Sequence, residues 1–285
     1  MNVTPTPGHR RTGARLAGTL LAASFALGAL QTGGAWAASA APAVPAPSAA
    51  PPIAPADEPG SWHSQGLSLD AVENRQVDRY LERARGAERV ISTQIREAAR
   101  RNGAELVGFG QRLKSPDSLK RKVATYMKGD EKHAPTNVDQ ALKQVNDAVR
   151  YTFVWDDEKY TKGVRGASHD LTAWQYNSVR WSNTWDSKDR YKGINSAWRD
   201  PLRDQKFEIQ FHTPASKSAQ ERTHKIYEEQ RLPSTPPARK AELQREQGRI
   251  FAAVPVPEGA EALTAPAQTR PLPVPARVPA QAPAA

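Results

Sequence analysis

Two segments rich in proline and alanine flank the part of this chain whose composition suits a folded domain. Residues 38–59 are almost entirely Ala, Pro and Ser, and residues 253–285 are similar, with a proline every few positions. Such segments bury too little apolar surface to offset the entropy lost on ordering, so we predict that both are disordered. The folded unit is then predicted to be a single domain over residues 60–252.

Residues 1–37 have the organisation of a secretory signal. Basic residues, the last of them Arg15, precede an uncharged apolar stretch from Leu16 to Leu30 and an Ala35-Trp36-Ala37 cleavage site. The alternative, a membrane-spanning helix, is disfavoured because the apolar stretch has about 15 residues and a bilayer needs roughly 20. We therefore expect a secreted protein that is cleaved after residue 37 and then has no membrane attachment.

The absence of cysteine and the basic charge narrow the chemistry. An exported protein without cysteine has no disulfides, so packing alone must hold its core. A metal would need oxygen or imidazole ligands, which favours magnesium or a similar hard cation over structural zinc. The formal net charge is +10, of which about +7 remains without the three arginines of the signal. This balance indicates an anionic partner, and composition leaves open a nucleotide, a nucleic acid or an acidic surface.

Helical and strand patterns alternate along residues 60–252. Apolar residues at helical spacing predict one or two amphipathic helices between Leu69 and Arg101. The other predicted elements are strand 104–111, helix 116–127, helix 138–145, strand 148–155, helix 159–176, strands 177–185, 191–198 and 206–213, and helices 216–231 and 237–251. This order predicts an α+β domain, a mixed β-sheet of about five strands flanked by helices.

A basic segment joins the first predicted strand to the next helix: Arg112-Leu-Lys114-Ser-Pro-Asp-Ser118-Leu-Lys-Arg-Lys122. Arg112 and Lys114 are two residues apart at the exit of a strand and are expected to share a face. Ser118 and Lys122 are four apart on the helix, whose start is marked by Ser-Pro. All four can converge near the helix N-terminus, where free N–H groups favour an anion. The segment suits a polyphosphate, although a solvated basic junction has the same pattern.

Two carboxylates stand where they could hold a cation. Asp147 lies at the mouth of strand 148–155, and Glu208 lies in strand 206–213. In that second strand, alternation places Glu208, Gln210 and His212 on one face and three apolar side chains on the other. Asp147 and Glu208 could hold magnesium between them and a triphosphate.

A fourth segment, Tyr191-Lys-Gly-Ile-Asn195, places an aromatic ring beside a glycine. The ring could stack on a nucleotide base, although an aromatic at the start of a strand is more often part of the core. Taken in order, the four segments resemble the synthetase domain of the RelA/SpoT (alarmone synthetase) family.

The resemblance extends from about Val107 to Arg231. The basic segment meets the family pattern R-x-K-x-x-x-S-x-x-x-K at every position, and the family's magnesium aspartate before a strand corresponds to Asp147. Its Tyr-x-x-Ile-His, Glu-Ile-Gln-Ile-Arg-Thr and His-x-x-Tyr-Glu motifs correspond to residues 191–195, 208–213 and 224–228. The chain departs from the family pattern at Asp189, Asn195 and His212, where the family has asparagine, histidine and arginine. These departures put guanine selectivity in doubt.

The resemblance implies a nucleotidyltransferase-like synthetase fold and a defined reaction. The β,γ-diphosphate of ATP would pass to the 3′-hydroxyl of a purine nucleotide, giving AMP and a nucleotide 3′-diphosphate such as pppApp or ppGpp. Exported, monofunctional members with this activity are known as nucleotide 3′-pyrophosphokinases. The implied site comprises Glu208, Asp147 and Gln210 for catalysis; Arg112, Lys114, Ser118, Lys122, Arg150 and His212 for the phosphates of ATP; Tyr191 and Asn195 for the acceptor; and magnesium, or manganese or cobalt in its place, on Asp147 and Glu208.

Two other functions are compatible with the sequence. One is an exported, basic polyanion- or nucleotide-binding protein that kept the fold and lost the chemistry. The two carboxylates disfavour this reading, because an anion binder gains nothing from negative charge in its groove. The other is the same enzyme used as an antibacterial toxin, which needs the same site. We expect a monomer with no specific nucleic acid partner.

Overall fold

A computed structural model describes residues 59–129, 136–231 and 234–268 of the chain. The predicted signal and all but the last residue of the predicted 38–59 segment lie outside the described residues. The helices are α1 (Ala71–Asn102), α2 (Pro116–Lys128), α3 (Val138–Gln144), α4 (Asp157–Ala173), α5 (Pro214–Arg231) and α6 (Pro237–Ala252). The strands are β1 (Trp62–Ser64), β2 (Leu67–Leu69), β3 (Glu105–Leu106), β4 (Arg150–Val154), β5 (Asn177–Asn183), β6 (Ile194–Asp200) and β7 (Gln205–His212).

Five of the strands form one mixed sheet in the order β3-β4-β7-β6-β5. β4 and β7 are parallel, and the other neighbouring pairs are antiparallel. β1 and β2 form a separate antiparallel hairpin. The predicted α+β domain with a mixed sheet of about five strands is confirmed.

The long helix α1 begins and ends where its sequence favours it. The Asp70 side chain accepts hydrogen bonds from the backbone of the first turn, and Glu73 bonds back to the Asp70 backbone, which together form a capping box. Gly103 ends the helix in the left-handed conformation, with φ of 64°. The apolar stripe predicted between Leu69 and Arg101 is therefore one helix, and its buried residues pack in the domain core.

The apolar face of the sheet supplies the other side of that core. Phe207, Ile209 and Phe211 of β7 are fully buried, as the alternating pattern predicted. Helix α4 also approaches closely at Gly163, where a Cβ atom would collide with the indole of Trp155. A glycine in the middle of α4 is therefore required by packing, which accounts for a helix over a glycine-containing stretch.

Glycines change the bounds of two predicted strands. The strand predicted over 104–111 ends at Leu106, because Gly108 takes the left-handed conformation, with φ of 65°, and starts a 3₁₀ helix, Phe109–Gln111. The strand predicted over 191–198 begins only at Ile194, after Gly193, whose φ of 144° is reserved for glycine.

The folded domain also continues past the boundary predicted at residue 252. Val254, Ala260 and Leu263 are buried. Side chains of the domain donate to backbone carbonyls of this segment: Thr161 to Glu258 over 2.6 Å, and Asn183 to Ala260 over 2.8 Å. The disorder predicted from composition is therefore wrong for residues 253–268, and residues 269–285 lie outside the described residues. No helix in the described ranges is long and apolar enough to cross a membrane.

Candidate active site

The polar face of the central strands brings several predicted site residues together. In the strand register, Glu208 of β7 lies beside Arg150 of β4, and Gln210 lies beside Asn195 of β6. Because side chains alternate along each strand, these four residues share the face opposite the apolar core. Glu208 and Gln210 are buried, with 6% of their surface exposed, and Arg150 is exposed.

Glu208 is held by two amide groups through one of its oxygens. Gln210 Nε2 donates to Glu208 Oε1 over 2.6 Å, and Asn195 Nδ2 donates to the same oxygen over 3.3 Å. Within the described part of the chain, Oε2 of Glu208 receives no hydrogen bond from a side chain. The carboxylate is therefore anchored on one side and has its second oxygen available for a ligand.

Asp147 lies between two lysines of the basic segment. Its Oδ1 is 2.7 Å from Lys122 Nζ, and its Oδ2 is 3.1 Å from Lys114 Nζ. Burial on its own would raise the pKa of Asp147, but the two ammonium groups hold that pKa at about 2. Conversely, burial would lower the pKa of Lys122, but Asp147, with a smaller contribution from Glu208, raises it. Lys122 thus lies within electrostatic reach of both carboxylates.

Helix α2 starts as its sequence predicts. Ser115 is the N-cap and accepts a hydrogen bond from the Ser118 backbone, and Pro116 occupies the first turn. Ser115 Oγ also donates to Ser118 Oγ over 2.8 Å. The exposed Ser118 therefore lies one turn before Lys122 at the N-terminal end of the helix, where the free N–H groups are.

Arg112 does not join the lysines. Its backbone has an α-helical conformation at the end of the 3₁₀ helix, and Leu113 after it forms an isolated antiparallel bridge with Val149. Its guanidinium pairs with the buried Glu88 of α1 and lies over the Phe109 ring, 4.6 Å from the centroid. The role of Arg112 in binding ATP stays a prediction, and it would require exchange of Glu88 for the ligand or contact through the remaining donors.

His212 is fully buried and is hydrogen-bonded to the half-buried Tyr191. Tyr191 Oη and His212 Nε2 are 2.8 Å apart, and His212 Nδ1 is 2.7 Å from Ser216 Oγ. Burial, with a smaller effect of Lys217, lowers the pKa of His212 to about 3, so the imidazole is neutral at physiological pH. Fully buried and uncharged, His212 is placed to hold Tyr191 and not to bind a phosphate. The Tyr191 ring packs against His212 and against Phe251 of α6 in T-shaped arrangements, with ring centroids 5.4 and 6.1 Å away.

Three residues of the candidate site were not predicted from the sequence. Arg180 of β5 donates through Nη2 to Asn195 Oδ1 over 2.7 Å. Gln220 of α5 donates to Gln210 Oε1 over 3.2 Å. Glu88 could have been found, because it is a charged residue in the buried stripe of α1. Arg180 and Gln220 give no comparable signal, since a polar residue in an edge strand or a surface helix is ordinary.

The two carboxylates suit a cation that comes with a polyphosphate. Among the residues the structure describes, no group of three or more acidic or histidine side chains could hold a metal alone. Magnesium commonly binds through one or two carboxylates and completes its shell with substrate phosphates and water. Asp147 and Glu208 supply carboxylate oxygens of that kind, so the residues fit the predicted metal.

Comparison with known proteins gives structural neighbours only. No protein-family model and no curated protein matches the sequence. The small alarmone synthetase 1 from Bacillus subtilis is 14% identical over 62% of this chain and 90% of that chain, with a TM-score of 0.43. The same enzyme bound to its product pppGpp is 14% identical over 62% of this chain and 91% of that chain, with a TM-score of 0.42. A GTP pyrophosphokinase family protein from Streptococcus pneumoniae is 16% identical over 60% of this chain and 84% of that chain, with a TM-score of 0.38.

Proposed function

We propose that this chain is a nucleotide pyrophosphokinase that transfers the β,γ-diphosphate of ATP to the 3′-hydroxyl of a purine nucleotide. One observation carries the proposal: Asp147 bridges Lys114 and Lys122, and the backbone N–H of Glu208 donates to the carbonyl of Val149, two residues after Asp147. Lysines that can bind phosphates and carboxylates that can bind a cation thus lie together in one site. In a protein that only bound polyanions, both carboxylates would lie beside the negative charge of the ligand.

The lysines bind the phosphates of ATP in this proposal. Lys114 and Lys122 are 15% and 28% exposed, so a triphosphate can reach them when they leave Asp147. Asp147 and Glu208 would hold Mg²⁺, with Mn²⁺ or Co²⁺ as alternatives, and the ion would neutralise charge on the transferred phosphates. Arg150, beside Glu208 and exposed, is a further donor to the phosphates.

Glu208 takes the proton of the acceptor. The 3′-oxygen forms a bond to the β-phosphorus of ATP, the bond from that phosphorus to the α,β-bridging oxygen breaks, and AMP leaves. The hydroxyl proton passes to Oε2 of Glu208, because Oε1 is already taken by Gln210 and Asn195. Catalysis then depends mostly on positioning and charge neutralisation, as in other phosphoryl transfers.

Asn195 can offer the acceptor nucleotide a hydrogen-bond donor. Its carbonyl oxygen is engaged by Arg180, and one N–H is directed to Glu208. The remaining N–H can meet an acceptor atom on adenine or guanine, and stacking on Tyr191 discriminates poorly between purines. We therefore expect adenine acceptors to react within about tenfold of guanine acceptors, a gap of roughly 1.4 kcal/mol. Competition between equal ATP and GTP measures this, and a hundredfold preference for guanine would contradict it.

The decisive experiment is product analysis. Purified protein lacking residues 1–37 is incubated with ATP, Mg²⁺ and each purine nucleotide in turn. The expected products are AMP and a nucleotide 3′-diphosphate in equal amounts. Nucleotide binding without AMP formation would instead favour the polyanion-binding function. N-terminal sequencing of protein recovered from culture medium tests the proposed secretion and cleavage.

A further inference from the structure

A chain of hydrogen bonds reaches Glu208 from the edge strand β5. Arg180 Nη2 donates to Asn195 Oδ1 over 2.7 Å, and Asn195 Nδ2 donates to Glu208 Oε1 over 3.3 Å. The two strands are paired in the sheet, so the backbone fixes the spacing of Arg180 and Asn195. We refer to Arg180 and Asn195 as the β5 relay.

A second chain reaches the same oxygen from helix α5. Lys217 Nζ donates to Gln220 Oε1 over 2.8 Å, and Gln220 Nε2 donates to Gln210 Oε1 over 3.2 Å. Gln210 Nε2 then donates to Glu208 Oε1 over 2.6 Å. We refer to Lys217, Gln220 and Gln210 as the α5 relay. Glu208 is thus the common end of two relays that come from different elements.

The cation at the start of each relay fixes the direction of every amide after it. Guanidinium and ammonium groups have donors and no acceptor, so the amide beside each must turn its oxygen toward the cation. The NH₂ group of that amide then points onward, toward Glu208. Without a cation beside it, the amide could rotate by about 180° and turn its oxygen toward Glu208. The amide oxygen and the carboxylate oxygen are both acceptors and would repel each other.

We propose that Arg180, Lys217 and Gln220 are positioning residues for the proposed transfer, because they orient the amides that hold Glu208. The torsion that rotates a glutamate carboxylate is broad, so the side chain does not fix its own oxygens. With both relays on Oε1, Oε2 is kept for the acceptor hydroxyl. This inference rests on the proposed function.

The test removes the outer member of each relay, away from the reacting atoms. Arg180→Met and Gln220→Met keep most of the side-chain length and delete the hydrogen bonds. We expect kcat to fall about 10–100-fold in each, the range found when hydrogen-bond partners that orient a metal ligand are lost. The KM for ATP should change less than about threefold, because the phosphate-binding lysines are untouched. Arg180→Lys keeps a cationic donor and should recover most of the loss.

Matched controls separate positioning from folding. Arg199→Met removes an arginine of the neighbouring strand that pairs at the surface with Asp204, and Gln244→Met removes an amide bonded to Gln230 between α5 and α6. Both should retain kcat within about twofold. Thermal unfolding of all variants shows whether a loss of rate follows a loss of folded protein.

A second background tests whether the relays act through Glu208. In a Glu208→Gln protein, measured with enzyme in excess, Arg180→Met and Gln220→Met should change the residual rate less than about twofold, because the carboxylate they position is gone. Full kcat in both single variants, or the same fall in the Glu208→Gln background, would overturn the inference. An intact protein that forms no AMP from ATP and an acceptor would instead refute the proposed function.

Discussion

Replacing Asp147 by asparagine probes the centre of the site, because it deletes one charge and changes little volume. Asp147 lies 2.7 Å from Lys122 and 3.1 Å from Lys114, and its side chain is only 13% exposed. The variant leaves two neighbouring ammonium groups without their counter-charge. Loss of one partner from a buried ion pair is costly for this reason.

The lowered pKa of Asp147 gives the size of the effect. The folded state binds the proton less tightly than the unfolded state, so the stabilisation is complete above about pH 4 and is lost as the pH falls through about 2. Lowering the pKa from 3.8 to about 2 corresponds to about 2 kcal/mol at neutral pH. About 1 kcal/mol of this remains at about pH 3.

Urea unfolding of both proteins at about pH 7 and about pH 3 measures this difference. The free energy of unfolding of Asp147→Asn should be lower by about 2 kcal/mol at neutral pH, and the gap should narrow in acid. Asp156→Asn is the control. Asp156 also pairs with a lysine, Lys159, at 3.2 Å, but this pair is exposed and should contribute little to stability. Equal stability of the two proteins at neutral pH, or a gap that does not change with pH, would refute the interpretation of the Asp147 cluster.

Three further outcomes follow from the same geometry. Glu208→Gln should lower kcat on the order of 10²-fold or more while the protein stays folded, checked by product assay and circular dichroism; near-normal turnover would remove Glu208 from the mechanism. Because burial lowers the pKa of His212 from 6.5 to about 3, its neutral form stabilises the protein fully above about pH 6.5 and loses that effect as the pH falls toward 3. His212→Gln should therefore weaken the pH dependence of urea unfolding between about pH 7 and about pH 5, and an unchanged dependence would contradict this. Truncation after Ala252 should cost about 2–5 kcal/mol through loss of the buried Val254 and Leu263, whereas truncation after Gln268 should not; equal stability of the two truncated proteins would disprove it.

The sequence predicted best those features that depend on neighbours along the chain. The Ser115-Pro116 start of α2 and the alternation of β7 are both present, because capping and strand alternation are set by residues a few positions apart. The order of helices and strands also predicted the mixed sheet, since it limits which layers can form. The pairing of Asp147 with Lys122 was not predicted, although both had been assigned to one site.

Partners distant in sequence were beyond the same reasoning. The spacing of Arg112 relative to Lys114 predicted a phosphate ligand. Its observed partner, Glu88, is 24 residues away in α1 and comes close only when the chain folds. Residues 253–268 have a composition typical of disorder, yet Thr161 and Asn183 bind their carbonyl groups. Composition describes what a segment can bury by itself and does not include the donors that a folded surface offers to its backbone.

The mixture of charges at the site is consistent with both an empty and a loaded state. Without a ligand, Asp147 neutralises Lys114 and Lys122, which would otherwise repel each other in a partly buried place. With a polyphosphate bound, the lysines would face phosphate oxygens and Asp147 would need a new cation, the role that the proposed metal fills. A binder of bare polyanions would leave Asp147 unpaired beside negative charge. The arrangement therefore favours a ligand that carries its own cation, as a nucleotide triphosphate does.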